Sequence, residues 1–220
     1  EQDRWALRSH QRCAAGQEAG FFRWETMPVE LPQRKGPPLI FEQDEGVRPD
    51  TSLEKLARLP TIYGSPTVTA GNAPGLSTGA AAVVLATAAE AQRRGIRPLA
   101  TIVTWAMAAG HPDKLASIPA IAAQKALQQA GTTIDQIDLI EINEAFAAMP
   151  LVSTHLLGAG DPERVAAIRD RTNVNGGAIA IGHPTGATAA RLAMTVISAL
   201  RSRGGGWGLF TGCAAGDTAM

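Results

Sequence analysis

From residue 98 onward, short apolar runs alternate with longer helical patterns. The apolar runs lie at 99–105, 138–142 and 207–211, and the helical patterns lie at 118–130, 144–157 and 185–203. Strands that alternate with helices predict an α/β layer structure in which helices cover the faces of a sheet. In such a structure, loops at strand ends carry the functional side chains. Catalytic residues are therefore expected where these runs end.

The first third of the chain has a different texture. Helical spacing over 3–19 predicts a short amphipathic helix, and the prolines between 28 and 66 predict an irregular, surface-exposed module. Alanine, valine and glycine dominate after residue 67, which predicts the start of the packed core. Residues 75–94 are expected to form a helix that ends before Gly95 and Pro98. The apolar face of that helix would carry Ala80, Val84, Ala88 and Ala91.

The balance of charges argues against nucleic acid and anionic membranes as partners. The chain has 20 Lys plus Arg and 20 Asp plus Glu, with a pI near 7.2, so no overall field favours nucleic acid or an anionic membrane surface. Apolar runs stop before the roughly 20 residues that span a bilayer, and no charged leader opens the sequence. A cytoplasmic location is the resulting expectation. Because the first residue is Glu1, the chain is expected to be a piece of a longer protein.

One histidine lies in the glycine-rich stretch NVNGGAIAIGHPTGATAARL, residues 173–192. His183 stands before a predicted helix, whose positive end disfavours imidazolium and keeps the ring neutral near pH 7. A neutral ring can accept a proton from a thiol or donate one N–H to an oxygen. The glycines at 176, 177, 182 and 186 would let a ligand approach the backbone closely. The alternative is that these glycines form a tight loop and that His183 only caps a helix.

An asparagine marks a predicted junction between a strand and a helix. In IEINEAFA, residues 140–147, Asn143 could hold a water or a carbonyl oxygen at the end of a strand. It could equally be a simple N-cap, because its side-chain oxygen can accept from an unpaired N–H of the helix.

Two cysteines, Cys13 and Cys213, lie near opposite ends of the chain, which favours reduced thiols over a disulfide. Cys213 follows an apolar run and has small neighbours that leave room for a substrate, so its thiol could move protons or attack. A buried free cysteine is also common as a small hydrophobic residue. Cys13 lies among polar residues on a helix of surface type, and we expect it to have a packing role.

Other patterns are less informative. In TVTAGNAPGLSTGAAA, residues 67–82, a narrow polar chain could lie against the backbone, or the segment could be a plain loop and helix start. His10, His111 and His155 lack neighbours at metal-ligand spacing, so no metal site is expected. The sequence has no phosphate loop and no dinucleotide fingerprint, which argues against nucleotide hydrolysis and hydride transfer.

Four segments, in one order, resemble the thiolase family, whose members join or cleave acyl-CoA units by Claisen chemistry. They are VTAGNAPGLSTGAAA, NEAFA, NVNGGAIAIGHPTGAT and GLFTGCAAGD. The resemblance implies a thiolase-like layered αβα fold, present as its C-terminal half plus part of an irregular loop domain. It divides the chain into 1–68, the remainder of the loop domain; 69–97, a helix contributed to the N-terminal thiolase domain; and 98–220, the C-terminal domain with its last strand truncated.

The resemblance also implies roles for single residues. His183 would activate the nucleophilic cysteine and help to hold the thioester oxygen, and Asn143 would position a water in that oxyanion site. Cys213 would be the acid/base at the α-carbon of an acyl-CoA. The backbone N–H of Ala215 would serve the other oxyanion site. Contacts to the substrate's CoA arm are implied for Ala73, Pro74, Ala145 and Phe146.

The same resemblance implies partners and limits. No permanently bound cofactor is expected, and coenzyme A and acyl-CoA act as substrates, as in the fatty acid β-oxidation branch of lipid metabolism. No segment here resembles the N-terminal half, which carries the acyl-accepting cysteine. The chain alone is therefore expected to be inactive, with a missing N-terminal half or complementary chain as partner, and assembly as a homodimer or homotetramer is expected.

Besides the absent N-terminal half, two departures from the family pattern keep other functions open. Thiolases usually have Ser at the position of Pro74, and a richer glycine run where this chain has Ala214, Ala215 and Asp217. These changes put the acyl preference in doubt. One alternative is a non-catalytic thiolase-like subunit that binds acyl-CoA or a partner. Another is a ketosynthase-like condensing enzyme, although Cys213 and NEAFA argue against it.

Overall fold

The computed structural model describes residues 1–214 and 218–220. The α-helices are α1 (Gln2–Glu18), α2 (Leu53–Leu56), α3 (Ala88–Arg93), α4 (Ile118–Gln129), α5 (Ala148–Leu157), α6 (Pro162–Asp170), α7 (Ala178–Ile181) and α8 (Thr188–Ser202). The strands are β1 (Val29–Leu31), β2 (Leu39–Phe41), β3 (Ala108–Ala109), β4 (Leu139–Ile142), β5 (Gly208–Thr211), β6 (Cys213–Ala214) and β7 (Thr218–Ala219). Turns of 3₁₀-helix lie at 21–24, 112–117 and 134–136.

Strand β4 is the centre of the layered part of the fold. It pairs in parallel with β5, from Leu139 opposite Gly208 to Ile142 opposite Thr211. All four residues of β4 are buried, as expected for a strand covered on both faces. Ile140 and Ile142 pack into a core with residues of α4, α5 and α6, whereas Leu139 packs with residues of α8. The α/β layers expected from the alternating pattern are therefore confirmed.

The chain continues from β5 into a small antiparallel sheet. Strand β7 lies between β3 and β6. The backbone of Gly212, which joins β5 to β6, exchanges hydrogen bonds with Met220 at 2.9 and 3.1 Å. This continuity places Cys213 one residue beyond Gly212 and two beyond the end of β5.

Helix α1 packs against the layered part through an apolar face. Trp5 and Ala6 lie in a cluster with Leu56, Ala147 and Ile179. The expected helix over 3–19 is confirmed, but its surface type is not, because Cys13 is fully buried. Its expected packing role agrees with that burial.

The proline-rich segment is irregular, as expected. It contains the hairpin of β1 and β2, in which Val29 lies opposite Phe41. It also contains the short helix α2, which is four residues long. Most side chains of this segment are exposed, including Leu39 and Ile40 of the hairpin. Apart from these short elements, proline leaves few consecutive residues that can form regular hydrogen bonds.

The predicted helix over 75–94 is largely wrong. Only α3, Ala88–Arg93, is helical, and of the predicted apolar face only Ala91 is buried. Val84 is 97% exposed and Leu76 is fully exposed. An amphipathic helix gains most of its stability from burying its apolar face, and no described residue covers this one.

One further predicted element is absent, and two helix starts differ from the sequence-based prediction. The β-branched run 99–105 forms no strand, and Leu99 and Trp105 are both about two-thirds exposed. Helix α5 begins at Ala148 rather than Glu144, and α8 begins at Thr188 rather than Thr185. The predicted strands 138–142 and 207–211 and the helix 118–130 are confirmed within one residue at each end. No helix among the described residues is long and apolar enough to cross a membrane.

Candidate active site

The side chain of Asn143 lies between the two other residues singled out for catalysis. Its Nδ2 is 3.2 Å from Nε2 of His183, and its side chain is close enough to Cys213 to lower the pKa of that thiol. Asn143 directly follows β4, and its backbone N–H donates to the carbonyl of Thr211 at 2.9 Å. The parallel pairing of β4 with β5 therefore brings Asn143 beside Cys213. Three predicted residues from distant parts of the sequence meet at one strand end.

Asn143 is not a helix cap. The N-cap of α5 is Ala147, and residues 144–147 separate Asn143 from the helix. The side chain is buried, and its Oδ1 accepts no hydrogen bond from the described residues. The Nδ2 end of the amide thus contacts the other candidate residues, and Oδ1 is left as an acceptor without a partner among the described residues.

His183 is held through both its backbone and its ring. Its backbone N–H donates to Oγ of Ser77 at 3.1 Å, and its Nδ1 lies 2.7 Å from Oγ1 of Thr188. The loop between α7 and α8 carries His183, so the histidine does not cap α8, whose N-cap is Ala187. Gly182, before the histidine, has φ of +100°, which favours glycine.

The electrostatic setting favours a neutral His183. Burial lowers the pKa of its imidazole, and the positive charge of Arg191 lowers it further. Both effects disfavour imidazolium. The sequence predicts a neutral ring because of the helix dipole. The lowered pKa of His183 agrees with a neutral ring, but its causes are burial and the charge of Arg191.

Cys213 is the first residue of β6 and is half-buried. Burial raises the pKa of its thiol, whereas a backbone hydrogen bond and the hydrogen bond with Asn143 lower it. A thiol of raised pKa is protonated at neutral pH and can donate or, once deprotonated, accept a proton. Cys13 differs: burial raises the pKa of its thiol to about 12.

A buried carboxylate, that of Glu144, lies next to Asn143 in the sequence and anchors the segment that carries it. Glu144 is completely buried and accepts from Nε1 of Trp5, Oγ of Ser9, Nδ2 of Asn173 and the backbone N–H of Ile179, at 2.7 to 3.1 Å. These four donors satisfy a charge that would be costly to bury alone. The network joins α1, α7 and the segment that carries Asn143. Sequence reasoning missed it, because the donors lie far apart along the chain.

Gly177 shows how tightly this network is packed. A Cβ at Gly177 would lie 2.5 Å from the Glu144 carboxyl carbon. Gly176, with φ of +79°, also needs to be glycine. Gly186 differs from the other glycines of the stretch, because a Cβ there would meet nothing within 4 Å.

The segments expected to contact CoA lie side by side. The carbonyl of Asn72 accepts from the backbone N–H of Ala147 at 2.9 Å, which joins the GNAPG segment to NEAFA. Ala73 is buried, whereas Pro74, Ala145 and Phe146 are half-buried. The ring of Phe146 packs edge-on against Tyr63 at 6.3 Å between centroids. Tyr63 was missed because it lies in the irregular module.

One predicted site residue has no described counterpart. Ala215 lies outside the described residues. Within 1–214 and 218–220, no group of three or more His, Cys, Asp or Glu side chains is arranged to hold a metal ion.

Comparison with known proteins identifies relatives that share this arrangement of segments. The family model for the thiolase C-terminal domain matches residues 96–220, and that for the thiolase N-terminal domain matches residues 1–89. An acetyl-CoA acetyltransferase of Chromobacterium violaceum is 46% identical over 217 residues, which are 98% of this chain and 53% of that protein. A beta-ketoadipyl-CoA thiolase of Pseudomonas aeruginosa is 45% identical over 214 residues, 97% of this chain and 52% of that protein.

Solved structures match in the same way. The acetyl-CoA acetyltransferase of Bacillus anthracis superposes with a TM-score of 0.91 at 36% identity, covering 99% of this chain and 53% of that one. Human mitochondrial 3-ketoacyl-CoA thiolase in complex with CoA gives a TM-score of 0.85 at 34% identity, covering 100% of this chain and 52% of the other. The chain spans about half the length of the relatives it matches. It belongs to the thiolase family.

Proposed function

We propose that this chain carries the proton-transfer part of a thiolase-type acyltransferase active site. The reaction would be the Claisen condensation of acyl-CoA units, or the reverse thiolytic cleavage of a 3-ketoacyl-CoA. The observation that carries the proposal is the Asn143 amide, which contacts both His183 and Cys213. The names of the relatives, acetyl-CoA acetyltransferase and beta-ketoadipyl-CoA thiolase, point to the same chemistry.

Each residue then has a distinct task. Neutral His183 takes the proton of an acyl-accepting thiol, and its N–H then donates to the thioester oxygen. The Cys213 thiolate removes a proton from the α-carbon during condensation, and the thiol returns that proton during thiolysis. Asn143 keeps the two groups at one strand end, and its free Oδ1 can hold a water. Ala215 is proposed as a further backbone donor.

We propose that the acyl-accepting thiol comes from outside these 220 residues. The chain has two cysteines, and buried Cys13, whose thiol pKa is about 12, is a poor nucleophile. In the proposed division into 1–68, 69–97 and 98–220, none of the three parts supplies the acyl-accepting cysteine. Exposed apolar side chains at Leu76, Val84 and Trp105 offer a surface for the remaining part of a longer thiolase or for a complementary chain.

The substrate's CoA arm is proposed to pass between the GNAPG and NEAFA segments. Ala73, Pro74, Ala145 and Phe146 lie on these two joined segments, and their small or apolar side chains suit a narrow pantetheine chain. Coenzyme A and acyl-CoA are the proposed substrates, without a resident cofactor. A cytoplasmic location, a role in fatty acid β-oxidation, and assembly as a homodimer or homotetramer stay predictions.

A second function is favoured by the departures from the family pattern at Pro74 and Ala214. A thiolase-like subunit could bind acyl-CoA without turning it over. Such a subunit would use the same two segments for the CoA arm, and the Asn143 contacts would then be structural.

Complementation separates the two functions. The chain is combined with the part of the Chromobacterium violaceum enzyme that the 217 aligned residues leave out, and CoA-dependent cleavage of acetoacetyl-CoA is measured. The proposal predicts cleavage by the folded combination and a loss of at least about 100-fold in His183→Ala and Cys213→Ser. His111→Ala, on an exposed loop, is the control. Acetyl-CoA binding without any cleavage would contradict the proposal and favour the binding subunit.

A further inference from the structure

We propose that Thr188 is a positioning residue that fixes His183 in the tautomer with its proton on Nδ1. The catalytic meaning of this assignment rests on the proposed function, but the tautomer itself does not. The observation is the 2.7 Å contact between Nδ1 of His183 and Oγ1 of Thr188, at the first residue of α8.

The Thr188 hydroxyl also contacts a carbonyl oxygen, because Oγ1 donates to the carbonyl of Pro184 at 3.0 Å. A hydroxyl has one proton, so while it donates to Pro184, Oγ1 accepts from the ring. In this arrangement Nδ1 carries hydrogen, and in the neutral ring Nε2 is left with a lone pair.

The other side of the ring agrees with this assignment. Nε2 faces Nδ2 of Asn143 at 3.2 Å, and an amide nitrogen is a donor. A proton on Nε2 would place two donors opposite each other. The amide would then have to turn over to present Oδ1, which accepts no hydrogen bond in the described structure. Thr188 thus determines the orientation of both side chains.

This tautomer suits the proposed proton transfer. When the S–H bond of an acyl-accepting thiol breaks, its electron pair stays on sulfur and its proton binds the lone pair of Nε2. The product is a thiolate and an imidazolium with hydrogen on both nitrogens. Nδ1–H keeps its bond to Thr188 throughout. The new Nε2–H can donate to a substrate oxygen, or to Oδ1 of Asn143 once that amide turns over. With the opposite tautomer, Nε2 could not accept the proton.

Two substitutions separate the hydroxyl from the shape of Thr188. Thr188→Val keeps the shape and removes the acceptor, whereas Thr188→Ser keeps the acceptor. The Pro184 carbonyl also accepts the backbone N–H groups of Ala187 and Thr188, so its hydrogen bonding survives in both. Thr195→Val is the matched control, because Thr195 is equally buried on the same helix and donates to Glu25 instead.

Nitrogen NMR of histidine-labelled protein reads the tautomer directly. Spectra are recorded at a pH where the ring is neutral, and the His183 signals are assigned by their loss in His183→Gln. We expect the Nδ1–H form in wild type, Thr188→Ser and Thr195→Val, and at least about a tenfold gain of the Nε2–H form in Thr188→Val. An Nε2–H ring in wild type, or an unchanged tautomer in Thr188→Val, would overturn the inference.

Activity gives a second readout once the complementation assay works. Thr188→Val should lower the rate of acetoacetyl-CoA cleavage by about tenfold, while Thr188→Ser keeps it. Equal losses in both variants would indicate a packing role and overturn the inference. If no combination cleaves substrate, the proposed function fails, and the NMR result still decides the role of Thr188.

Discussion

The indole N–H of Trp5 donates to the carboxylate of Glu144 over 2.8 Å and joins residues that are 139 positions apart. Glu144 is the direct neighbour of Asn143, so α1 is tied to the strand end that carries the candidate active site. Ser9, one turn further along α1, donates to the other carboxylate oxygen at 2.7 Å. Helix α1 thus helps to position the site residues.

Glu144→Gln should be strongly destabilising. Its amide NH₂ would face groups that already donate, and hydrogen bonds to a charged acceptor are worth about 1.5 to 3 kcal/mol each. We expect a loss of about 3 kcal/mol in the free energy of unfolding, measured with urea. Trp5→Phe, which removes one donor, should cost less. Glu42→Gln, at an exposed position, is the control; an effect of Glu144→Gln no larger than this control would show that the network adds little.

These contacts show what the sequence could predict and what it could not. Local periodicity located β4, β5 and α4, because their side chains are buried by neighbours within this chain. The same reasoning failed for 75–94 and 99–105, where most apolar side chains, such as Val84 and Leu99, have no cover among the described residues. Family motifs pointed to Asn143, His183 and Cys213. The supporting contacts of Glu144 and Thr188 depend on geometry that only the fold supplies.

Gly177 and Gly186 should respond differently to the same substitution. Gly177→Ala places a Cβ 2.5 Å from the Glu144 carboxyl carbon, so the buried network must move. We expect a loss of about 1 to 3 kcal/mol, typical of overpacking. Gly186→Ala meets nothing within 4 Å and should change the free energy of unfolding little. Thermal unfolding of the two variants checks this difference, and equal effects would contradict the packing around Glu144.

Glu141 should make stability depend on pH. Burial raises the pKa of its carboxyl to about 8, although Arg191 lies 3.3 Å away. The folded state then binds more protons than the unfolded state between the ordinary pKa of 4.5 and about 8. This contribution to stability is complete below that window and is lost as the pH rises through it.

Glu141→Gln tests this proton directly, because Gln resembles the neutral acid. At pH 6 the substitution should cost less than about 1 kcal/mol, and the variant should lose less stability than wild type between pH 6 and 9. The measurement is urea unfolding across that range. A loss of about 3 to 5 kcal/mol at pH 6 would show instead that an ionised Glu141 is paired with Arg191.

His183 should titrate below its ordinary pKa of 6.5, because burial and the charge of Arg191 both disfavour imidazolium. Arg191→Gln should raise the pKa of His183, whereas Arg191→Lys, which keeps the positive charge, should raise it less. Proton NMR of the ring Cε1–H against pH measures each value. Identical titrations in both variants would leave burial as the only cause.

The most direct test of a shared site for His183, Asn143 and Cys213 is the alkylation rate of Cys213. Iodoacetamide reacts with the thiolate, and mass spectrometry separates labelled Cys213 from buried Cys13. In Asn143→Ala the thiol loses a hydrogen bond that lowers its pKa, so labelling near neutral pH should slow by about tenfold. Acetyl-CoA should protect Cys213 in wild type. If the alkylation rate of Cys213 changes neither in Asn143→Ala nor on addition of acetyl-CoA, the three residues do not share one site.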